Sequence, residues 1–135
     1  MVIYSPMIVG HGIDVVEHVP FSRLMTQEEA FVRRCFTVRE IEIGRAAPNP
    51  IQWFASRFAA KESVMKALGT GWSQGVSWHE IVTGTSLEGP PSVVLTGKTD
   101  ERAQFMGIAN WLLSISHSEN VSIASVIAIG KGDNR

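Results

Sequence analysis

The segment from Ile51 to Leu68 runs for eighteen residues without a glycine or a proline and is rich in alanine. Length and propensity together predict one long helix there. Pro48 and Pro50 break the chain ahead of it. Gly69 supplies a C-cap, where a residue without a Cβ takes the left-handed conformation at little cost. Phe54, Phe58, Met65 and Leu68 follow one another at spacings of four, seven and three, which marks them as the buried stripe.

On either side of this helix the pattern changes to shorter runs. Residues 2–4 and 8–16 read as strand material. From Ile8 on, alternation puts Val9, His11, Ile13 and Val15 on one face and Gly10, Gly12 and Asp14 on the other, with Val16 beyond them. Two glycines beside an acid predict open space next to the Asp14 carboxylate, which is unusual in a strand that serves only packing. Phe21 to Phe36 reads as helical. Thr37, with Glu40 three residues on, reads as the capping box of a second short helix. Residues 77–83 and 92–95 are strand candidates separated by a turn around Gly89-Pro90-Pro91, and 98–106 is a short helix. Residues 111–116 and 121–129 alternate like a hairpin joined through His117-Ser118-Glu119-Asn120. The polar tail after Gly130 is expected to fray. Helices and antiparallel strands mix with no βαβ rhythm. The expected fold is therefore α+β, with an antiparallel sheet packed against the long helix.

Composition narrows the function. A chain of 135 residues fits one domain, spanning 1–135, and buries roughly two-thirds of its unfolded surface without help from disulfides or a structural metal. The 12 Lys and Arg nearly cancel the 13 Asp and Glu, so no nucleic-acid partner is expected. A single cysteine, Cys35, forbids an internal disulfide and suits a reducing compartment. No apolar run approaches the roughly 20 residues of a membrane span. Met1 to Pro6 lacks a basic n-region followed by an h-region, so a cytoplasmic location with no membrane partner is expected. Gly10-His11-Gly12 lacks the third glycine of a dinucleotide fingerprint, and residues 69–75 lack the Gly-Lys-Ser/Thr of a nucleotide-triphosphate loop. His11, His18, His79 and His117 show no zinc spacing. Trp53, Trp72, Trp78 and Trp111 are expected in the core or at a subunit contact.

Three groups of residues carry chemistry. Glu62 and Lys66 are four apart on the long helix, as are Arg57 and Lys61, and Gly69-Thr70-Gly71 follows. A solvated helix face with routine ion pairs explains the charges, and a C-cap plus a turn explains the glycines. Taken together, cations beside a loop that aims backbone N–H groups suit phosphate oxygens, and a carboxylate among them suits Mg²⁺. Asp14 is the second group. Mg²⁺ is commonly held by one or two carboxylates while phosphates and waters complete its shell, and Asp14 with Glu62 makes such a pair. The third is Ser114-Ile115-Ser116-His117. Neighbouring strand residues point to opposite faces, which argues against a Ser116–His117 dyad and leaves a strand end that presents hydroxyls and an imidazole to a ligand, or a satisfied loop histidine. The residues by themselves end at an α+β domain with a phosphate and Mg²⁺ site.

In the same order along the chain, Gly12-Ile13-Asp14, Arg57-Phe58-Ala59-Ala60-Lys61-Glu62-Ser63 with Lys66-Ala67-Leu68-Gly69-Thr70-Gly71, and Ser114-Ile115-Ser116-His117 resemble holo-[acyl-carrier-protein] synthase. This is the short, single-domain type of 4′-phosphopantetheinyl transferase. The resemblance covers about residues 7 to 129, leaving 1–6 as an N-terminal extension, 130–135 as a tail and Met7 as a candidate natural start. It implies the 4′-phosphopantetheinyl transferase fold and transfer of the phosphopantetheine arm of coenzyme A to a serine of an apo acyl carrier protein, with Mg²⁺, releasing adenosine 3′,5′-bisphosphate in fatty acid biosynthesis. It implies that Asp14 and Glu62 are the metal carboxylates and that Lys66 contacts the phosphate under attack, making Asp14, Glu62 and Lys66 the catalytic set. Gly69, Thr70 and Gly71 then lie near the phosphate or nucleotide, and Arg57 and His117 face the 3′-phosphate or adenine end of coenzyme A. Either Glu62 or a metal-bound water takes the serine proton. The family forms a homotrimer with active sites at subunit contacts, which is the expectation here.

Two positions depart from the family pattern. Pro20 stands near where the family usually has an arginine that meets the carrier protein, and Gly89-Pro90-Pro91 replaces Gly-Lys-Pro. Seven of the 12 basic residues lie between Arg33 and Lys66, so the side bearing Arg23, Arg33 and Arg34 is the expected dock for an acidic carrier. The rival readings are a related transferase serving a carrier domain within a larger synthase, and a coenzyme-A-binding or assembly subunit without transferase activity.

Overall fold

The computed structural model describes residues 7–69, 75–84 and 91–132. In chain order these form β1 (Ile8–Glu17), α1 (His18–Gln27), α2 (Glu29–Cys35), α3 (Val38–Arg45), α4 (Pro50–Leu68), a 3₁₀ turn (Trp78–Glu80), β2 (Ile81–Gly84), β3 (Ser92–Leu95), α5 (Gly97–Phe105), β4 (Ile108–His117) and β5 (Val121–Gly130). An antiparallel sheet has the order β1-β5-β4, and β2 pairs with β3 in a second, two-stranded sheet. The α+β expectation holds, with α4 lying across β1 and β5 and also packed against α1 and α3. The strand predicted at residues 2–4 and the turn residues Gly89 and Pro90 lie outside the described residues.

The long helix starts where its sequence signals meet. The Asn49 side chain accepts the Gln52 N–H at 3.2 Å, and Pro50 occupies the first turn, where no N–H is needed. Gly69 ends it at φ 73°. The predicted stripe is too narrow, however. Ala55, Ala59, Ala60, Ser63 and Val64 are as buried as Phe54, Met65 and Leu68, whereas Phe58 is only half-buried. Alanine and serine on the sheet side let α4 sit between two layers, so it is buried nearly all round.

The strand pattern of β1 is as read, but the glycines serve another purpose. A Cβ at Gly12 would lie 1.8 Å from the Ser63 carbonyl oxygen, and one at Gly10 2.5 Å from that of Ala67. The expected open space beside Asp14 is filled by the backbone of α4. Opposite Gly12 and Asp14 stand Val126 and Ala124 of β5, both fully buried, which completes a small-residue seat for the helix. Ser63 Oγ lies 2.7 Å from Ala59 O and 3.0 Å from Ala124 O, so its hydroxyl is satisfied inside that contact.

Two other expectations are corrected. The single helix read over Phe21–Phe36 is two, because Glu28 leaves the helical region at φ −127°, ψ 84°. The break brings Phe21 and Phe31 to one ring, Phe58, with centroids 5.3 and 5.6 Å away. On one straight helix, residues ten apart lie about 15 Å from each other, too far to share it. The strand read from Ser77 starts only at Ile81, which pairs with Leu95. Ahead of it the chain turns at Trp78, whose carbonyl is taken by a side chain of α4. The capping box at Thr37–Glu40, the short helix α5 and the β4–β5 hairpin are found as read, with β4 starting earlier, at Ile108.

Gly12→Ala is expected to destabilise the fold by about 3 kcal/mol or more, because two backbones must separate. Gly69→Ala, with nothing within 4 Å of a Cβ, is expected to cost only about 1 kcal/mol for its positive φ. Urea unfolding of the two variants measures the difference.

Candidate active site

Strand β1 and helix α4 bring Asp14, Glu62 and Lys66 together. Asp14 and Glu62 line one groove of about 370 Å³ with Val16, Pro20, Phe21 and Phe58. Lys66 Nζ reaches across to the strand, donating to Asp14 Oδ1 at 3.1 Å and to the Ile13 carbonyl at 2.9 Å. The spacing put Lys66 beside Glu62 on one helix face, yet its ion pair is with Asp14. Glu62 Oε1 instead accepts the indole N–H of Trp78 at 3.2 Å. Burial raises the pKa of Glu62 above the ordinary 4.5, and the Asp14 charge raises it further; the Trp78 hydrogen bond and Lys66 oppose both.

This donor set fits Mg²⁺. Two carboxylates share a groove, each is a hard oxygen donor, and their mutual repulsion is what a divalent cation relieves. Among the described residues no group of three His, Cys, Asp or Glu side chains is arranged to hold a metal alone.

The solvated-face reading of α4 fails at Lys61. This side chain is fully buried, with Nζ 2.9 Å from Glu40 Oε1 and 2.8 Å from the Trp78 carbonyl oxygen, and it lies 5.3 Å from the Phe36 ring centroid. Burial lowers its pKa, and the Glu40 charge and hydrogen bond push back. Lys61 therefore belongs to no exposed positive face. Cys35, the lone thiol, is also buried, and desolvation pushes its pKa up to about 12.

Arg57 and His117 meet elsewhere. They line a second groove of about 440 Å³ with Pro48, Asn49, Trp53 and Ile115. The Arg57 guanidinium carbon sits 4.6 Å from the Trp53 ring centroid, and burial lowers the Arg57 pKa while Glu40 raises it. Ser116 and His117 are both exposed and make no hydrogen bond to each other. Among the described residues, none lines both this groove and the one holding Asp14 and Glu62. Gly69 caps α4 one turn beyond Lys66, and Thr70, Gly71 and Trp72 lie outside the described residues. Trp78 and Glu40 escaped sequence reasoning as site residues. Glu40 carried only its capping-box signal, and no spacing links Trp78 to Glu62.

The fold thus sets two carboxylates in one groove, with a lysine paired to one of them, and an arginine and a histidine in a second groove. The family model of the 4′-phosphopantetheinyl transferase superfamily matches residues 10–124. The holo-[acyl-carrier-protein] synthase of Hydrogenovibrio crunogenus is 44% identical over 123 residues, covering 90% of this chain and 97% of that protein. Among solved structures, the holo-[acyl-carrier-protein] synthase of Neisseria meningitidis superposes with a TM-score of 0.82 at 34% identity, covering 90% of this chain and 98% of that one. The Bacillus anthracis holo-(acyl-carrier-protein) synthase in complex with CoA (3′,5′-ADP) gives 0.73 at 30% identity, covering 93% and 99%. The chain belongs to the 4′-phosphopantetheinyl transferase superfamily.

Because the folded state raises the pKa of Glu62, the native protein binds more protons than the unfolded chain between the ordinary and the raised values. Stability falls as pH rises through that window, and the cost persists at higher pH. Glu62→Gln removes it while keeping an acceptor for Trp78. Its melting temperature is expected to exceed that of the parent by about 2–4 °C at pH 8, with the gap closing below pH 4.5. Paired thermal melts across pH in metal-free buffer check this.

Proposed function

We propose that this protein transfers the 4′-phosphopantetheine group of coenzyme A to a serine of an apo acyl carrier protein, with Mg²⁺, releasing adenosine 3′,5′-bisphosphate, in the cytoplasm and in support of fatty acid biosynthesis. The observation that carries the reading is the meeting of Asp14, Glu62 and Lys66 between β1 and α4 in a member of this superfamily. The names of the relatives support the carrier protein as partner, and the coenzyme A complex of the Bacillus anthracis protein supports the donor.

In atoms, a bond forms between the serine oxygen and the phosphorus that bears the pantetheine arm. The bond from that phosphorus to the departing adenosine 3′,5′-bisphosphate breaks, and the hydroxyl proton is released. Asp14 and Glu62 hold the metal. When bound, Mg²⁺ supplies positive charge that offsets the charge developing on the pyrophosphate. Lys66 adds a cation beside Asp14 that contacts the attacked phosphate, and its bond to the Ile13 carbonyl fixes where that charge sits. Arg57 and His117, in their own groove, hold the 3′-phosphate or adenine end, and the segment Gly69-Thr70-Gly71 lies near the phosphates. The attacking hydroxyl comes from the carrier, which accounts for the absence of a serine–histidine hydrogen bond at Ser116.

Two features favour a homotrimer with sites at subunit contacts. The outer face of the β1-β5-β4 sheet exposes Ile13, Val15, Leu112 and Ile123, a larger apolar surface than isolated residues explain. The two grooves share none of the described residues, so one chain's arginine–histidine groove can serve its neighbour's carboxylates. The carrier docks over α1, which borders the metal groove through Pro20, Phe21 and Leu24 and carries Arg23 on its exposed side. Arg33 continues that side on α2, held to Glu29 at 3.6 Å, and Arg34 adjoins it.

Intact-mass analysis of an apo carrier incubated with protein, coenzyme A and Mg²⁺ is expected to show a gain of one phosphopantetheine. EDTA is expected to abolish the gain, and Asp14→Ala and Glu62→Ala to slow it at least 100-fold. Coenzyme A binding with no transfer to any carrier would turn the reading to a binding subunit. Reversing charge at Arg23, Arg33 and Arg34 together is expected to raise the KM for the carrier about tenfold with little change in kcat. Sedimentation equilibrium is expected to give three times the 14.8 kDa chain mass, and Leu112→Lys to reduce it.

A further inference from the structure

A metal ligand works best as a fixed carboxylate, and among the described residues the half-buried Glu62 head group receives a single hydrogen bond. That bond comes from Trp78, sixteen residues away and on no shared element. We propose that the indole N–H of Trp78 is the positioning device for the Glu62 carboxylate, engaging Oε1 and leaving Oε2 to the metal. This rests on the reading of Asp14 and Glu62 as Mg²⁺ ligands.

What makes Trp78 fit for the task is how firmly it is itself placed. The side chain is 5% exposed. Its ring packs on Phe58 at 5.7 Å between centroids and edge-on to Phe31 at 6.4 Å. Its carbonyl takes the 2.8 Å hydrogen bond from buried Lys61, whose other partner, Glu40, is pinned to the N-terminus of α3 by the capping box. The residues either side are also tied down. Ser77 N–H donates to Thr99 Oγ1 at 3.1 Å, and the Glu80 carboxylate accepts from the Lys98 and Thr99 N–H groups at the start of α5. The indole is therefore the better-anchored partner, and the half-buried carboxylate is the one that adjusts to it. A neutral donor suits the task better than a cation. It fixes one oxygen without cancelling the negative charge that the metal needs, whereas a lysine or arginine in its place would compete with Mg²⁺ for Glu62.

Lys61 gains a purpose from the same chain of contacts. A buried ammonium is costly to desolvate, and an apolar side chain of equal volume would suit the core better. As a strut between Glu40 and the Trp78 carbonyl it holds the donor that holds Glu62.

The test is Trp78→Phe, which keeps an aromatic ring against Phe31 and Phe58 and the backbone carbonyl for Lys61 but removes the N–H. Calorimetric titration of Mg²⁺ into protein loaded with coenzyme A is expected to show a dissociation constant raised about tenfold, the order of one hydrogen bond to a charged group. The KM for Mg²⁺ is expected to rise in parallel, with kcat recovered at saturating Mg²⁺ and the KM for the carrier unchanged. A Trp78→Phe variant with parental Mg²⁺ affinity overturns the proposal and reduces Trp78 to packing. Parental Mg²⁺ affinity in Glu62→Ala overturns the metal-site reading itself, a separate failure. Should Trp78→Phe not fold, the unaltered protein still decides. The ¹⁵N-indole resonance of Trp78, assigned by eliminating those of Trp53, Trp72 and Trp111 with single phenylalanine variants, is expected to shift on Mg²⁺ addition and to move in Glu62→Gln. A resonance indifferent to both overturns the proposal.

Discussion

Helix α4 and strand β1 approach so closely that no side chain fits between them, and the placement of Asp14, Glu62 and Lys66 follows from that contact. With Cβ atoms at Gly10 and Gly12 the helix backbone would have to retreat by more than an ångström. Ser63 and Ala67 are the residues whose carbonyls fill the space. Glu62 and Lys66 immediately precede them in sequence, so seating the one pair on the strand swings the other pair to its rim. There Lys66 finds the Ile13 carbonyl and Asp14, and Glu62 enters the groove that Asp14 lines. The alanines on β5 and on α4 extend the same principle, since Ala124 and Ala128 are fully buried beneath Ala59, Ser63 and Ala67. Interiors pack at crystal density, so the seat transmits any displacement of the strand directly to the carboxylate pair.

A second contact fixes the other side of the groove. Lys61 and Glu40 form an ion pair inside the core, and such pairs give little net stability once desolvation is counted. Removing one partner is a different matter, costing about 3–5 kcal/mol because the survivor stays charged and buried. The pair is thus better understood as a locator than as a source of stability. It joins α3, α4 and the turn at Trp78, three elements distant in sequence. The aromatic cluster of Phe21, Phe31, Phe58 and Trp78 closes the same region from α1 and α2. Its assembly is the reason the chain breaks at Glu28.

Much of the scaffold was legible from residue order. The long helix declared itself through its alanines, its flanking prolines and its terminal glycine, and the capping box at Thr37 through the Glu40 three residues on. Alternation along β1 separated Asp14 from Ile13 and Val15 correctly. The errors share a cause. The break at Glu28, the turn before Ile81 and the filled space beside Gly12 each answer to a partner far along the chain, and local propensity carries no record of it. Lys61 is the sharpest instance. A lysine four residues from an arginine on an amphipathic-looking helix reads as surface, and only the presence of Glu40 and the Trp78 carbonyl makes its burial tolerable.

Sequence alone supplied the candidate site: two carboxylates and a lysine beside a glycine-bearing helix end suit a phosphorylated ligand and a hard cation, and the family resemblance added an arginine and a histidine. Those inferences depend on side-chain type, which residue order carries in full. Tertiary structure alone decided that Lys66 serves Asp14 rather than Glu62, that Arg57 and His117 occupy a groove apart from the carboxylates, and that Trp78 holds Glu62. Such pairings are distances between elements. They are set by how closely backbones can pack and by which buried polar atoms must find partners, and both are properties of the whole folded chain.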